Sequence, residues 1–313
     1  MTEQPHERSG AFETDRSAEV VAASFAAAPD ERLRDILVSL VRHTHAFVEE
    51  VGLTAEEWAE GIRFLTETGH RCDATRQEFI LLSDVLGVSS LVESLDNPTD
   101  GHCTEATVEG PFHLVDSPAR ALGDTIDETG RSGEPCLVTG RVTDTDGAPV
   151  PGARVDVWQA DADGHYDVQR PGEIPDGNLR GLFTADADGA FRFRTVVPRH
   201  YPIPTDGPVG ALLRATGRHA NRAAHIHFQI SAPGVRTLTT HLFAADSPYL
   251  DSDAVFGVKA SLIRPFAPTD DPARAAADGL PNPFRHVDFP ITVRRLQPAD
   301  RGSRGYFRGP RRS

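Results

Sequence analysis

Glycine and proline divide this chain into two textures. No proline occurs between Glu31 and Leu86, where apolar residues recur at helical spacing, whereas both residue types punctuate short stretches after Asn97. Proline interrupts helix interiors and central strands, and glycine marks turns, so the two parts call for different architectures. In the first, Leu33, Ile36, Leu37, Leu40, Val41 and His45 lie three and four apart, the stripe of an amphipathic helix. Thr54-Ala55-Glu56-Glu57 reads as a capping box opening a second helix through about Thr68. A third, capped by Asp73 or Thr75, reaches Phe79–Leu82.

Beyond Asn97 the stretches Cys136–Val142, Ala153–Gln159, Phe191–Val197, His225–Ser231 and Thr237–Phe243 are strand-length, and several alternate apolar with polar residues. Asp144–Gly147 and Asp186–Gly189 are turn sequences with glycine where positive φ is needed. Short strands with turns between them predict a mainly β chain, an antiparallel sandwich or barrel preceded by an α-helical region. The expected organisation is a flexible leader over 1–30, helices over 31–100, the β domain over 101–298 and a disordered basic tail over 299–313. That tail carries Arg301, Arg304, Arg308, Arg311 and Arg312 among glycines.

Charge narrows the function. A net charge of −14 argues against nucleic acid or an anionic membrane as main partner, since both require a basic surface. No apolar run approaches the roughly 18 residues of a membrane span. Residues 1–30 are polar and acidic, without the pattern of a signal peptide. Cys72, Cys103 and Cys136 form no spaced pair, so free thiols are expected rather than a disulfide framework. A cytoplasmic protein is the expectation.

The chemistry-bearing set is Tyr166, Tyr201, His225 and His227. Residues two apart on a strand share a face, so the two histidines can aim at one point while Ile226 packs the other way. Two anionic phenolate oxygens and two imidazoles suit a ferric ion better than Cu(I) or structural zinc. Each member alone has a plainer reading: a strand histidine, a packed tyrosine, or a turn around the prolines of His200–Pro204.

The segment from about Thr104 to Phe266 resembles the intradiol ring-cleaving dioxygenases. The resemblance is carried in order by Gly140–Asp144, Pro151–Ala160, Asp163–Tyr166, Leu179–Asp186, Tyr201–Pro208 and Arg222–Phe228. It implies a β-sandwich catalytic domain, an N-terminal helical dimerisation region, and one non-haem Fe(III) per subunit on Tyr166, Tyr201, His225 and His227. It also implies a catecholic substrate, O2, a homodimer, and a phospholipid at the dimer interface as in relatives. Tyr249–Lys259 and Val108–Phe112 look more like the hydroxyquinol subgroup than the catechol enzymes. On that resemblance Leu81, Asp84, Val108, Gly110, Pro111, Phe112, Ile203, Pro204 and Arg222 line the substrate pocket.

The implied catalytic roles fall to Tyr201, which takes a substrate proton, and Arg222, which stabilises negative charge on ring oxygens. Asp84 is suited to accept a hydrogen bond from a third hydroxyl. Two positions depart from the family pattern: Ala223 stands where proline is common, and His241 where catechol enzymes have glutamine. The rival readings are a catechol or chlorocatechol enzyme and a non-catalytic sandwich module, which would use the hairpin around Gly147 and Gly152 only for turns.

Overall fold

The computed structural model describes residues 12–73, 76–99, 101–114, 117–130 and 133–296. The basic tail expected over 299–313 lies outside them, as does Thr75. Cα packing divides the chain between Thr66 and Glu67, not near residue 100.

The first unit is helical. Within the stretch expected to be a leader, the structure has helix α1 (Ser17–Ala23), with Ser17 and Ala22 buried. Helix α2 (Glu31–Val51) starts where the Asp30 side chain accepts the Leu33 N–H, and ends at Gly52 in the left-handed region, φ 60°. Helix α3 (Ala55–His70) opens on the expected capping box: Thr54 N–H donates to Glu57 Oε2 at 2.9 Å, and Glu57 N–H donates to Thr54 Oγ1 at 3.2 Å.

In the second unit α4 (Glu78–Val85) and α5 (Val88–Asp96) keep company with the sheets. The cap of α4 is Gln77, without a side-chain bond; Asp73 instead accepts the Arg76 N–H at 2.8 Å in the preceding turn. The strands follow as β1 (Pro135–Asp144), β2 (Arg154–Gln159), β3 (Arg180–Thr184), β4 (Ala190–Val196) and β5 (Tyr201–Pro202). After α6 (Pro208–Ala215) come β6 (Asn221–Arg222), β7 (His225–Ser231), β8 (Leu238–Ala244), β9 (Ile263–Arg264) and β10 (Ala267–Thr269). Helix α7 (Pro272–Asp278), β11 (Phe284–Asp288) and β12 (Ile291–Val293) close the described chain.

One five-stranded sheet has the order β10-β11-β1-β12 with β4 also on β1; the other has the order β3-β2-β7-β8-β9. The ladders are antiparallel except that β11 and β12 run parallel to β1, and β9 parallel to β8. The sandwich is therefore mixed: the chain returns to β1 only after a long excursion, and a long connection leaves strand direction free. The sheets pack face to face through aromatics, with Phe193 of β4 at 5.2 Å from Phe183 and 6.2 Å from Phe228.

Strand alternation then decides what faces outward from this core. Val155 and Val157 of β2, Ile226 and Phe228 of β7, and Leu242 of β8 lie in the apolar layer. Their neighbours Trp158, His225, His227 and His241 share the opposite face, yet all are buried. No helix among the described residues is long and apolar enough to cross a membrane.

Candidate metal centre

Two imidazoles and two phenols meet on the outer face of the β2–β7–β8 ladder. His225 Nε2 stands 3.0 Å from His227 Nε2 and 3.4 Å from the Tyr201 hydroxyl, which stands 3.2 Å from the Tyr166 hydroxyl. All four residues are about 1% exposed. The strand argument holds for the histidines, with Ile226 fully buried in the core between them. Tyr201 is fixed by a two-residue ladder in which it pairs with Arg222. Tyr166 follows β2 and opens a 3-10 turn, its N–H held by Gln169 Oε1 at 2.8 Å.

The donor chemistry fits a metal ion. His225 Nδ1 lies 2.6 Å from the Ala223 carbonyl, so the proton sits on Nδ1 and the Nε2 lone pair faces the cluster. Position 223 thus contributes through its backbone, which alanine supplies as well as proline. Burial, then the Arg222 charge, pushes the His225 imidazole well below its usual range; burial, then His241 and His225, does the same for His227. Both are neutral and able to bind a cation. Burial pushes the Tyr166 phenol well up, a proton that a cation in the cluster would displace. Separations of 3.0–3.4 Å suit donors placed about 2 Å from a common centre.

A third imidazole, His241, is fully buried and close enough to His225 and His227 for the three to hold an ion. It pairs with His227 across the β7–β8 ladder. Its Nδ1 is bonded to Thr107 Oγ1, and its Nε2 lies 3.4 Å from Arg222 Nη2. Arginine only donates, so Nε2 is the acceptor and His241 orients the guanidinium.

Arg222 occupies the centre of these contacts. Its Nη1 lies 3.2 Å from His225 Nε2 and 3.4 Å from the Tyr201 oxygen, and its Nε 3.4 Å from Asp253 Oδ1. Asp84 on α4 is buried; burial raises its pKa, opposed by a hydrogen bond from Ser89 and by the Arg222 charge.

A cavity of about 510 Å³ borders this region. Four of the expected pocket residues line it: Leu81, Pro111, Phe112 and Pro204. Phe112 stacks on Tyr166 at 4.5 Å, and a Cβ on Gly110 would meet His227 Cε1 at 3.3 Å. Val108 and Ile203 are buried; with Asp84, Gly110 and Arg222 they are not among the residues lining the cavity itself.

Sequence reasoning missed two supports. Arg180 and Asp167 form a buried ion pair at 2.7 Å, and Arg180 Nη1 also donates to the Phe112 carbonyl at 2.7 Å. His113 packs on Trp158 at 4.5 Å, and Trp158 stacks on His227 at 4.7 Å. Arg180 lies inside the Leu179–Asp186 motif, which is its signal; His113 carries none in one sequence.

Comparison with known proteins bears on the same residues. A dioxygenase family model matches residues 108–294, and a catechol dioxygenase N-terminus model matches 30–104. The hydroxyquinol 1,2-dioxygenase of Rhizobium sp. (strain MTP-10005) is 50% identical, covering 91% of this chain and 97% of its own. The 6-chlorohydroxyquinol 1,2-dioxygenase of Cupriavidus pinatubonensis is 54% identical over 84% of this chain and 95% of its own. Among solved structures, hydroxyquinol 1,2-dioxygenase from Pseudomonas putida DLL-E4 superposes with a TM-score of 0.83 at 49% identity, covering 90% and 99% of the two chains.

Proposed function

The chain belongs to the intradiol ring-cleaving dioxygenases, and from that premise we propose that it opens hydroxyquinol with O2 between the two adjacent hydroxylated carbons. The product is 3-hydroxy-cis,cis-muconate, which tautomerises to maleylacetate; both oxygen atoms enter it. The observation that carries the reading is the convergence of two buried phenols and two neutral imidazoles at Arg222, whose charge also acts on the buried Asp84 carboxylate. The similarity to enzymes of hydroxyquinols, stronger than that to catechol enzymes, supports the triol over a diol.

We assign one ferric ion per subunit to Tyr166, Tyr201, His225 and His227. When bound, it supplies a Lewis acid that draws electron density from a chelated diol and opens a ring carbon to O2. The protein does the rest by position. Tyr201 Oη accepts a proton from the incoming diol, while Tyr166, held under Phe112, keeps its place. Arg222 stabilises negative charge on the ring oxygens from a buried site where each interaction counts for more. Asp84 accepts a hydrogen bond from the third hydroxyl. Leu81, Pro111, Phe112 and Pro204, which line the cavity, hold the ring and exclude water, with Val108, Gly110 and Ile203 completing the proposed pocket.

A homodimer joined through the helical region completes the reading. Leu40, Phe47, Trp58 and Ile62 on α2 and α3 are exposed apolar side chains that support it. A phospholipid at that interface rests on the same family premise, and a cytoplasmic setting on the acidic composition; light scattering tests the dimer and lipid extraction the phospholipid.

The iron-loaded protein should absorb in the visible through tyrosinate-to-iron charge transfer, and the band should shift on anaerobic addition of hydroxyquinol. Tyr166→Phe and Tyr201→Phe should each alter it. A colourless protein with stoichiometric iron would overturn the assignment.

A further inference from the structure

Two separate segments wall the pocket. Helix α4 carries Leu81 and Asp84, and the chain after β5 carries Ile203 and Pro204, close behind Tyr201. A charged network joins these segments, and the reaction as described makes no use of it.

Glu78, the first residue of α4, is fully buried. Its Oε2 accepts from Arg76 Nε at 2.9 Å and Nη2 at 2.7 Å, a two-pronged pairing. Its Oε1 accepts the backbone N–H of Val209 at 3.2 Å, in the first turn of α6. Arg76 Nη1 reaches both carboxylate oxygens of Asp206, at 2.8 and 3.0 Å, and Arg71 also pairs with Asp206. Asp206 and Val209 follow directly on Pro204, so both arms of the network end on the Tyr201 side of the pocket.

The neighbouring backbone is shaped to admit the carboxylate. A Cβ on Gly207 would stand 2.3 Å from Glu78 Oε1 and 2.9 Å from Arg76 Nη2, so a side chain at 207 would force the pair apart. The cavity of about 510 Å³ is bordered on one side by Arg76, Glu78 and Leu81 and on the other by Pro204. A change in the span of the network therefore changes the mouth of the pocket.

We propose that Glu78 is a positioning residue: with Arg76, Asp206 and the Val209 amide it sets the distance between α4 and the Tyr201–Pro204 segment, and thereby the preference of the pocket for a triol over a diol. The proposal rests on the reading of these two segments as walls of a hydroxyquinol site. Glu78 sits at the edge of the cavity and is assigned its role through Leu81 and Asp84 on its own helix. Displacing a recognition group by a fraction of an ångström lowers turnover of the substrate that needs it, because the near-attack geometry is lost.

The test compares iron-loaded wild type, Glu78→Gln and Asp206→Asn, measuring kcat and KM for hydroxyquinol and for catechol, with circular dichroism and iron content as controls. Glu78→Gln keeps the volume but removes the charge and leaves one acceptor oxygen, so it cannot serve both Arg76 and the Val209 N–H. Asp206→Asn cuts the outer arm at a carboxylate that is 60% exposed, where a substitution costs the fold less than at buried Glu78. Glu78→Gln is expected to lower the ratio of kcat/KM for hydroxyquinol to that for catechol by roughly 10- to 100-fold, mainly through kcat for hydroxyquinol. Asp206→Asn is expected to move the ratio the same way by less, and decides alone if Glu78→Gln does not fold. Folded, iron-loaded variants that keep the wild-type ratio, or lose both activities equally, overturn the role of Glu78. A wild type that does not favour hydroxyquinol overturns the substrate reading itself, whatever the variants do.

Discussion

Arg222 and Tyr201 are register partners in a two-residue ladder, and the guanidinium Nη1 lies 3.4 Å from the phenol oxygen. The ladder fixes a permanent cation beside the hydroxyl to which the proton transfer is assigned. Its other neighbours are Asp253, also buried, and two imidazoles that can accept but not neutralise it.

Arg222→Met should therefore act twice. It leaves the Asp253 carboxylate buried without its cation, at a cost of about 3–5 kcal/mol in denaturant unfolding. It should also lower kcat by roughly 10²–10³-fold, the usual loss when a preorganised charge is removed from a dry site. Arg222→Lys, which keeps the charge without the planar fork, should fall between. A Met variant with wild-type kcat would contradict the role.

Gly110 adopts φ +77°, and a Cβ there would press on His227 at 3.3 Å. Gly110→Ala should combine left-handed strain of about 1–2 kcal/mol with a displaced imidazole, seen as a shifted charge-transfer band. Gly172 has φ +81° with nothing within 4 Å of its Cβ, so Gly172→Ala should lower stability and leave the band unchanged. Equal spectra for both variants and wild type would contradict the placement of His227.

What was legible in the sequence follows from range. The capping box of Thr54 and Glu57 and the sharing of one face by His225 and His227 are local, set by periods of 3.6 and 2, and both appear as expected. The order and roles proposed for Tyr166, Tyr201, His225 and His227 rest on motif resemblance. The parallel return of β11 and β12 to β1 depends on a connection of well over a hundred residues and leaves no local pattern. The same holds for Glu78 with the Val209 amide, or His113 with Asp156, where Glu78, His113 and Asp156 each alone read as a solvated polar side chain. His241 shows in the sequence only as a departure from the family pattern, because its place in the cluster depends on the register opposite His227.

His113, which is not one of the proposed ligands, offers a pH test. The carboxylates of Asp156 and Glu109, at 3.6 and 2.9 Å, push its imidazole up to about 9. A folded pKa above the unfolded value of about 6.5 means that the stabilisation is fully present below that value and is lost as pH rises through about 9. The stability difference between wild type and His113→Gln, measured by denaturant unfolding, should shrink between pH 6 and pH 9.5. A difference that does not vary with pH would contradict a charged His113.

Asp84→Asn tests recognition of the third hydroxyl. Losing a charged acceptor should lower kcat/KM for hydroxyquinol relative to catechol by about 1.5–3 kcal/mol, roughly 10- to 150-fold. Equal losses for the two substrates would assign Asp84 to the fold alone.

The central claim is tested most directly by oxygen uptake and product identification with the iron-loaded protein and hydroxyquinol. The expected result is one O2 consumed per substrate, 3-hydroxy-cis,cis-muconate and maleylacetate as product with both atoms of labelled oxygen retained, and a kcat/KM well above that for catechol. Iron-loaded protein that consumes no oxygen with hydroxyquinol, or that turns over catechol in clear preference, would contradict it.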